Sequence, residues 1–133
     1  MHNVMYTSEE AEGHRLANPF DTITEGIGIN RLTNNFKEAM VDSAFRGTDQ
    51  EAVHMANYLL RNEGMYVGSS SAMNCVGAVK AARALGPGSV IVTILCDGGG
   101  RHASKLYNPE YLRANGLVVS QWDAADLSFV LAE

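Results

Sequence analysis

Apolar residues recur at helical spacing in two stretches of the chain. In the first, 48–63, Thr48 followed by Glu51 has the form of a capping box, and apolar residues then recur at three- and four-residue intervals up to Gly64, a natural helix stop. The second stretch, about 72–85, has the same period and runs into a Gly-Pro-Gly turn. Both stretches are therefore predicted to be helices.

Strand-like patterns flank the second predicted helix. Residues 89–96, SVIVTILC, form a continuous apolar and β-branched run, which is expected of a strand buried on both faces of a parallel sheet. A short strand is predicted before the helix, at 65–67. The order helix, strand, helix, strand indicates the α/β fold class, with parallel strands and flanking helices in a single unit over 1–133. Shorter patterns predict strands at 22–24 and 117–120 and a terminal helix at 124–131.

The composition is ordinary for a globular domain. Of 133 residues, 46% are apolar and 19% are charged, which argues against disorder. The net charge of −5 argues against a nucleic-acid partner, because phosphate binding requires a basic face. No apolar run approaches the roughly 20 residues that span a bilayer, so no membrane segment is predicted.

The N-terminal stretch and the two cysteines indicate the cellular compartment of the protein. The first 15 residues are acidic and lack an apolar core, so they predict neither a signal peptide nor a mitochondrial presequence. Cys75 and Cys96 are far apart, have no metal-type spacing and lie among apolar residues, which predicts two buried free thiols in a reducing compartment. We expect an intracellular protein, cytoplasmic or mitochondrial, that is not secreted.

Three loops combine glycines with short polar side chains: Glu25–Gly28, Gly68–Ser71 and Cys96–Arg101. Each follows a predicted strand, and ligands of open α/β sheets bind beyond the carboxyl ends of strands. The Gly68–Ser71 loop precedes a helix N-terminus, which favours an anion or an acceptor atom. On spacing alone, a serine that caps the helix explains this loop better.

The run Cys96-Asp97-Gly98-Gly99-Gly100-Arg101 has two interpretations. The glycines either let the backbone lie against a planar ligand or form a flexible turn capped by Asp97. Arg101 and His102 either pair with a ligand anion or make surface contacts. The sequence has no metal-type cluster, so no metal site is predicted, and no supported Ser/His/Asp arrangement.

Together the three loops carry a family resemblance. The matching segments are TITEGIGINRLTNNF, EGMYVGSSSAMNCVGAVKAA and VTILCDGGGRHASKLY, at 22–36, 63–82 and 92–107. In this order and at these separations they resemble the cysteine synthase and cystathionine β-synthase group of pyridoxal-phosphate enzymes, the fold-type II or tryptophan-synthase-β-like class. The cysteine synthase-like and cysteine desulfhydrase proteins are the most similar subgroup. The resemblance covers most of the chain.

The resemblance implies pyridoxal 5'-phosphate as cofactor and assigns roles to matching positions. Ser70 matches the serine that hydrogen-bonds the pyridine nitrogen. A neutral serine does not stabilise a protonated pyridinium as a carboxylate would, so the ring is a weaker electron sink, which suits β-elimination and β-replacement. The resemblance implies three roles for the other cofactor-site residues. The cleft is lined by Gly26, Ile27 and Gly28. Cys96 and Asp97 lie beside the ring nitrogen, and Gly68 and Ser71 shape the same pocket. Relatives commonly have glycine at Ala72 and serine at Gly98 or Gly99.

The resemblance also implies that the catalytic lysine is absent. The family's Schiff-base lysine and its phosphate loop precede the matched region, and Lys37, Lys80 and Lys105 lie in no similar context. The chain alone is therefore predicted to be inactive. We expect it to be a fragment, a truncated gene product or half of a split enzyme, with the N-terminal part or a complementary chain as its partner.

The implied reaction is β-replacement on an activated serine, such as O-acetylserine, with sulfide to give cysteine. One alternative is β-elimination of cysteine to pyruvate, ammonia and sulfide, and another is a truncated, non-catalytic binding or dimerisation module. The resemblance further implies a small amino-acid substrate and a homodimer in the full-length form.

Overall fold

Helices account for most of the regular structure in the computed structural model, which describes residues 22–27, 33–118 and 126–131. The elements are, in chain order, α1 (Asn34–Lys37), α2 (Asp49–Asn62), α3 (Ser69–Leu85), a 3-10 turn (Gly99–His102) and α4 (Pro109–Ala114).

The start of α2 is fixed by its own sequence. The Thr48 N–H donates to Glu51 Oε2 at 2.7 Å, and the Glu51 N–H donates to Thr48 Oγ1 at 3.2 Å. This reciprocal pair is the predicted capping box. After the helix, Gly64 adopts a left-handed φ of 68°, which a side chain would disfavour. The helix predicted over 48–63 is confirmed, with each end one residue inside the predicted range.

Helix α3 begins three residues earlier than predicted, at Ser69. Serine usually competes with helical backbone by bonding to nearby backbone groups. Here the side chains of Ser69 and Ser71 bond to distant segments instead, so they leave the first turn intact. The residues predicted as a loop, Gly68–Ser71, are therefore the N-cap and first turn of α3.

The core lies between α2 and α3 and is closed by residues from the C-terminal third. Alanines at the helix contact permit close approach of the two backbones, and larger side chains fill the space around them. The buried apolar residues are Ala52, Val53, Met55, Ala56 and Leu59 of α2, Ala72 and Val76 of α3, and Val67, Leu106, Leu112, Phe129 and Val130.

A buried ion pair crosses this core. Lys80 Nζ of α3 lies 3.1 Å from Glu51 Oε1 of α2, and the two side chains are 7% and 2% exposed. Lys80 also donates to the Arg46 carbonyl at 2.6 Å, and the Leu131 N–H donates to Glu51 Oε1 at 2.9 Å. Burial raises the pKa of Glu51, but hydrogen bonds from Thr48, Leu131 and Lys80 outweigh burial and hold that pKa below its ordinary value.

The segment 89–96 corrects the strand prediction. No strand is assigned to it, and Val90, Val92 and Ile94 are 91%, 86% and 65% exposed. The prediction of a strand buried on both faces is not confirmed in the described residues. A buried strand needs neighbouring strands to pair its backbone and cover its faces, and the described ranges contain only an isolated antiparallel bridge, between Val67 and Gly98. The parallel sheet of the predicted α/β class is not found in them.

The remaining predicted elements also differ. Residues 65–67 contribute only the bridge at Val67, and neither 22–24 nor 117–118 forms a strand. Residues 126–131 form turns rather than the predicted helix, and they place Phe129 and Val130 in the core. The rest of the predicted elements at 117–120 and 124–131 falls outside the described residues. Within those residues, no helix is long and apolar enough to cross a membrane.

Candidate functional site

The three loops singled out in the sequence meet at the N-terminus of α3. The Glu25 N–H donates to Ser69 Oγ at 3.2 Å, which joins the first loop to the helix. The Gly68 N–H donates to the Asp97 carbonyl at 3.0 Å, which joins the third loop to it. Residues far apart in sequence therefore form one local surface.

The three consecutive serines have different surroundings. Ser69 and Ser71 are 1% and 0% exposed. Ser71 Oγ donates to the Asp97 carbonyl at 3.2 Å and accepts from the Cys96 N–H at 2.8 Å. Ser70 is only half-buried, and its hydroxyl forms none of the hydrogen bonds of the described ranges. None of the three caps α3, whose N-cap Gly68 has no side chain. Ser70 is thus the serine whose hydroxyl is available to a ligand.

Two glycines in this site are required by close packing. A Cβ on Gly68 would overlap Asp97 Oδ1 and lie 2.7 Å from His102 Nε2. A Cβ on Gly99 would lie 2.5 Å from the Tyr66 ring. By contrast, a Cβ on Gly100 would meet no atom within 4 Å. The glycine run is therefore partly a packing requirement and not simply a flexible turn.

Asp97 and His102 form a partly buried pair that sequence reasoning missed. Asp97 Oδ2 lies 2.8 Å from His102 Nε2, and the histidine side chain is 4% exposed. Arg101 and His102 were predicted to pair with a ligand anion or to make surface contacts, but His102 instead meets a carboxylate five residues earlier. A separation of five residues matches neither the helical nor the strand period, so periodicity does not predict this pair. In the sequence, only the run of glycines between the two residues indicates that they can meet.

The loop at 22–27 is held by a residue that the sequence did not single out. Asp49, the first residue of α2, accepts hydrogen bonds from Thr22 Oγ1 at 2.6 Å and from the Ile23 N–H at 2.8 Å. Thr24 Oγ1 donates to the same carboxylate at 3.3 Å. Asp49 therefore fixes the loop that leads to Gly26 and Ile27. The predicted site residue Gly28 falls outside the described residues.

An exposed ion pair closes the other side of this loop. Lys105 Nζ lies 2.9 Å from Glu25 Oε1, so the pair joins the loop to the segment after the 3-10 turn. The hydrogen bond from Lys105 and its positive charge lower the pKa of Glu25. The same contacts raise the pKa of Lys105. Since both side chains are about half exposed, solvent screens the attraction.

The cysteines only partly match the prediction of two buried thiols. Both are free, but Cys96 is exposed, since it lies on the uncovered segment 89–96, and Cys75 is half-buried. Burial raises the pKa of the Cys75 thiol. Asn74 Nδ2 lies 3.4 Å from Cys96 Sγ and 2.9 Å from the Ile94 carbonyl, which ties the end of that segment to α3.

Tyr107 fixes the backbone at Val67, the residue before the N-cap of α3. Its hydroxyl donates to the Val67 carbonyl at 2.7 Å, and its ring lies 4.7 Å from that of Tyr66. Burial raises the pKa of Tyr107 to about 12. The hydroxyl therefore stays a donor and holds the residue that precedes Gly68. Among the described residues, no group of three or more acidic, histidine or cysteine side chains is arranged to hold a metal ion.

Residues 2–97 match the model of the family described as "Pyridoxal-phosphate dependent enzyme". Since the match covers more than half of the chain, the chain belongs to that family, and the cofactor implied by the resemblance is the family's cofactor.

Within that family, the chain is most similar to cysteine synthases among the relatives compared below. The chain is 54% identical over 120 residues to "Cysteine synthase 2" of Schizosaccharomyces pombe, covering 89% of this chain and 30% of the relative. It is 53% identical over 106 residues to "Cysteine synthase" of Dictyostelium discoideum, and 48% over 108 residues to "Putative mitochondrial cysteine synthase" of Saccharomyces cerevisiae. Each of these two matches covers 80% of this chain and 28% of the relative. The predicted resemblance to cysteine synthases is confirmed, and the chain spans about 30% of the first relative's length.

The described residues fit one end of such a cofactor. The Ser70 hydroxyl lies in the first turn of α3 without a protein partner among the described residues, as a group that bonds a ring nitrogen must. Gly68 and Gly99 allow the surrounding backbone and side chains to pack closely behind it. In the same site, Asp97 Oδ1 is a buried hydrogen-bond acceptor that has no donor among the described residues.

Proposed function

We propose that this chain supplies the part of a cysteine synthase that binds the ring-nitrogen end of pyridoxal 5'-phosphate. The observation that supports this most directly is the availability of the Ser70 hydroxyl between two serines whose hydroxyls are hydrogen-bonded. The complete protein would replace the β-substituent of an activated serine, such as O-acetylserine, with sulfide to form cysteine. The relatives' names favour synthesis over the β-elimination of cysteine and over a non-catalytic module.

Each residue of the site has a proposed task. The bound cofactor supplies an electron sink. Ser70 would hold the ring nitrogen by donating its hydroxyl hydrogen, and because serine is neutral it would not stabilise a protonated ring. The turn at Gly26 and Ile27 lines the cleft for a small amino-acid substrate. Cys96 and Asp97 would border the ring-nitrogen end of the cofactor, and Ser71 fixes their backbone through its hydrogen bonds.

We propose that the lysine that binds the cofactor lies outside this chain. Lys80 is engaged with Glu51 and the Arg46 carbonyl, and Lys105 is engaged with Glu25. A lysine held by a carboxylate at ion-pair distance is a poor candidate for a reactive amine, because the contact favours its charged form. The isolated chain is proposed to be inactive, and the remainder of the enzyme, joined to it or as a separate chain, to complete the site.

The uncovered segment 89–96 is the proposed contact surface for that remainder. Its apolar side chains at Val90, Val92 and Ile94 are exposed, as in a strand that lacks its neighbours. The relatives contain more than two thirds of their length outside the match, enough to supply such strands. In the complete enzyme we propose a parallel α/β sheet, one catalytic unit and a homodimer. We further propose a cytoplasmic or mitochondrial location, of which the mitochondrial one agrees with the name of the Saccharomyces cerevisiae relative.

The test is Ser70→Ala in the complete protein, with Ser104→Ala, an exposed serine beyond the 3-10 turn, as matched control. Cysteine formation from O-acetylserine and sulfide is measured beside sulfide release from cysteine. Loss of one hydrogen bond of about 1–1.5 kcal/mol is expected to lower synthesis about tenfold in Ser70→Ala and to leave Ser104→Ala unchanged. A protein that binds no pyridoxal phosphate, or equal rates in the two variants, would refute the proposal. Sulfide release without synthesis would favour the elimination reaction.

A further inference from the structure

The Asp97 carboxylate is held by a histidine on one side and buried on the other. His102 Nε2 lies 2.8 Å from Asp97 Oδ2. Because a carboxylate only accepts hydrogen bonds, Nε2 carries the hydrogen. Asp97 Oδ1 is buried and meets no hydrogen-bond donor in the described ranges. An unsatisfied buried acceptor is unfavourable, so this oxygen retains a strong preference for any donor that comes within reach.

The position of this carboxylate is fixed at the first turn of α3. The Asp97 carbonyl accepts from the Gly68 N–H at 3.0 Å, and the Asp97 N–H donates to Ser71 Oγ at 3.3 Å. The side chain packs on Gly68, where a Cβ would overlap it. Asp97 therefore lies against the N-cap of the helix whose second residue is Ser70.

Two possible partners of a ring nitrogen thus lie at the N-terminus of α3, Ser70 in its first turn and Asp97 against its N-cap, and they have opposite effects. A carboxylate bonded to a pyridine nitrogen favours its protonated form, with the proton taken from water, because the negative charge stabilises the pyridinium. A serine hydroxyl donates to the unprotonated nitrogen instead. A protonated ring is the stronger electron sink, so the choice between the two partners determines which reactions the cofactor supports.

We propose that His102 is a positioning residue that holds the Asp97 carboxylate against Gly68, so that Ser70 alone bonds the ring nitrogen and that nitrogen stays unprotonated. This inference rests on the proposed function, since it concerns the same cofactor. His102 acts through Asp97 and touches neither cofactor nor substrate. The other charged groups near this turn do not substitute for it: Glu25 and Lys105 pair with each other, and Arg101 is an exposed cation that disfavours a protonated ring.

The experiment measures the ring nitrogen directly in the complete protein loaded with ¹⁵N-labelled pyridoxal phosphate. His102→Phe keeps a ring of similar size but removes the donor, and it is expected to raise the protonated fraction of the ring nitrogen about tenfold, seen as a shift of its ¹⁵N resonance. His102→Gln retains a side-chain donor and is expected to keep the resonance of the unaltered protein. The double variant Asp97→Asn/His102→Phe is expected to restore that resonance, because the released group no longer carries charge.

Asp126→Asn removes an exposed carboxylate elsewhere and is expected to leave the resonance unchanged. If His102→Phe yields no folded protein, His102→Leu tests the same loss of the donor. A bound cofactor whose ring nitrogen does not change when the donor is lost would overturn the inference. An equal shift in the single and double variants would overturn it too, since Asp97 would then not be the cause. Absence of bound cofactor in the unaltered protein would overturn the proposed function itself.

Discussion

Neutralising Glu51 is expected to destabilise the protein more than any other single removal of charge in the described residues. In Glu51→Gln the Lys80 ammonium stays buried at 7% exposure without a negative charge beside it, and only neutral acceptors remain, the Arg46 carbonyl and the new amide oxygen. Removal of one partner of a buried ion pair typically costs about 3–5 kcal/mol. Since domains are stable by only about 5–15 kcal/mol, the variant is expected to lose a large part of its stability.

Urea unfolding of the complete protein, followed by circular dichroism, measures this loss. Glu63→Gln is the matched control, because it removes the same charge from the exposed C-cap of α2 and is expected to leave the midpoint unchanged. The double variant Glu51→Gln/Lys80→Met removes both charges and is expected to recover part of the stability lost by Glu51→Gln. A loss below about 1 kcal/mol in Glu51→Gln, the range of a surface pair, would refute the reasoning.

Three further predictions concern the packing at Gly68, the pH dependence of the Glu51 contribution and the reactivity of the lysines. Gly68→Ala is expected to lower the free energy of unfolding by about 1–3 kcal/mol, because the added Cβ would overlap Asp97, whereas a Cβ at Gly100 has open space. Equal free energies of unfolding for Gly68→Ala and Gly100→Ala would contradict the packing described for Gly68. The folded-state pKa of Glu51 lies below the ordinary value of 4.5, so its contribution to stability is present above pH 4.5 and is lost as pH falls through the folded pKa. The stability difference between the unaltered protein and Glu51→Gln should therefore shrink on acidification, and a constant difference would argue against it. Borohydride reduction of the isolated chain with pyridoxal phosphate, followed by mass spectrometry, is expected to give no specific pyridoxyl adduct, and one on any of its lysines would require a new assignment of Ser70.

Features that depend on neighbouring residues were predictable from the sequence. The capping box at Thr48 and the stop at Gly64 involve contacts within a few residues, so the pattern fixes both ends of α2. The start of α3 was missed because its serines bond to segments about 25 and 44 residues away. Spacing alone carries no information about such distant partners.

The strand and the site differ in what the sequence could predict. Residues 89–96 have the composition of a buried strand, but burial depends on neighbours that the described residues do not provide. The meeting of the three loops was expected from the family resemblance, whereas the Asp97–His102 pair was not, because its separation has no periodic signature. Asp49 was missed for a similar reason, since its hydrogen-bond donors lie more than 20 residues earlier.

The packing at Gly68 imposes an order on evolutionary change. The volume that a side chain at this position would need is already occupied by the carboxylate of Asp97 and the imidazole of His102. A lineage that acquires alanine or serine at 68 first would pass through a destabilised ancestor, whereas one that first shortens residue 97 or 102 would avoid the overlap. The glycine is thus retained as long as its two neighbours are, and the three positions should be inherited as one unit.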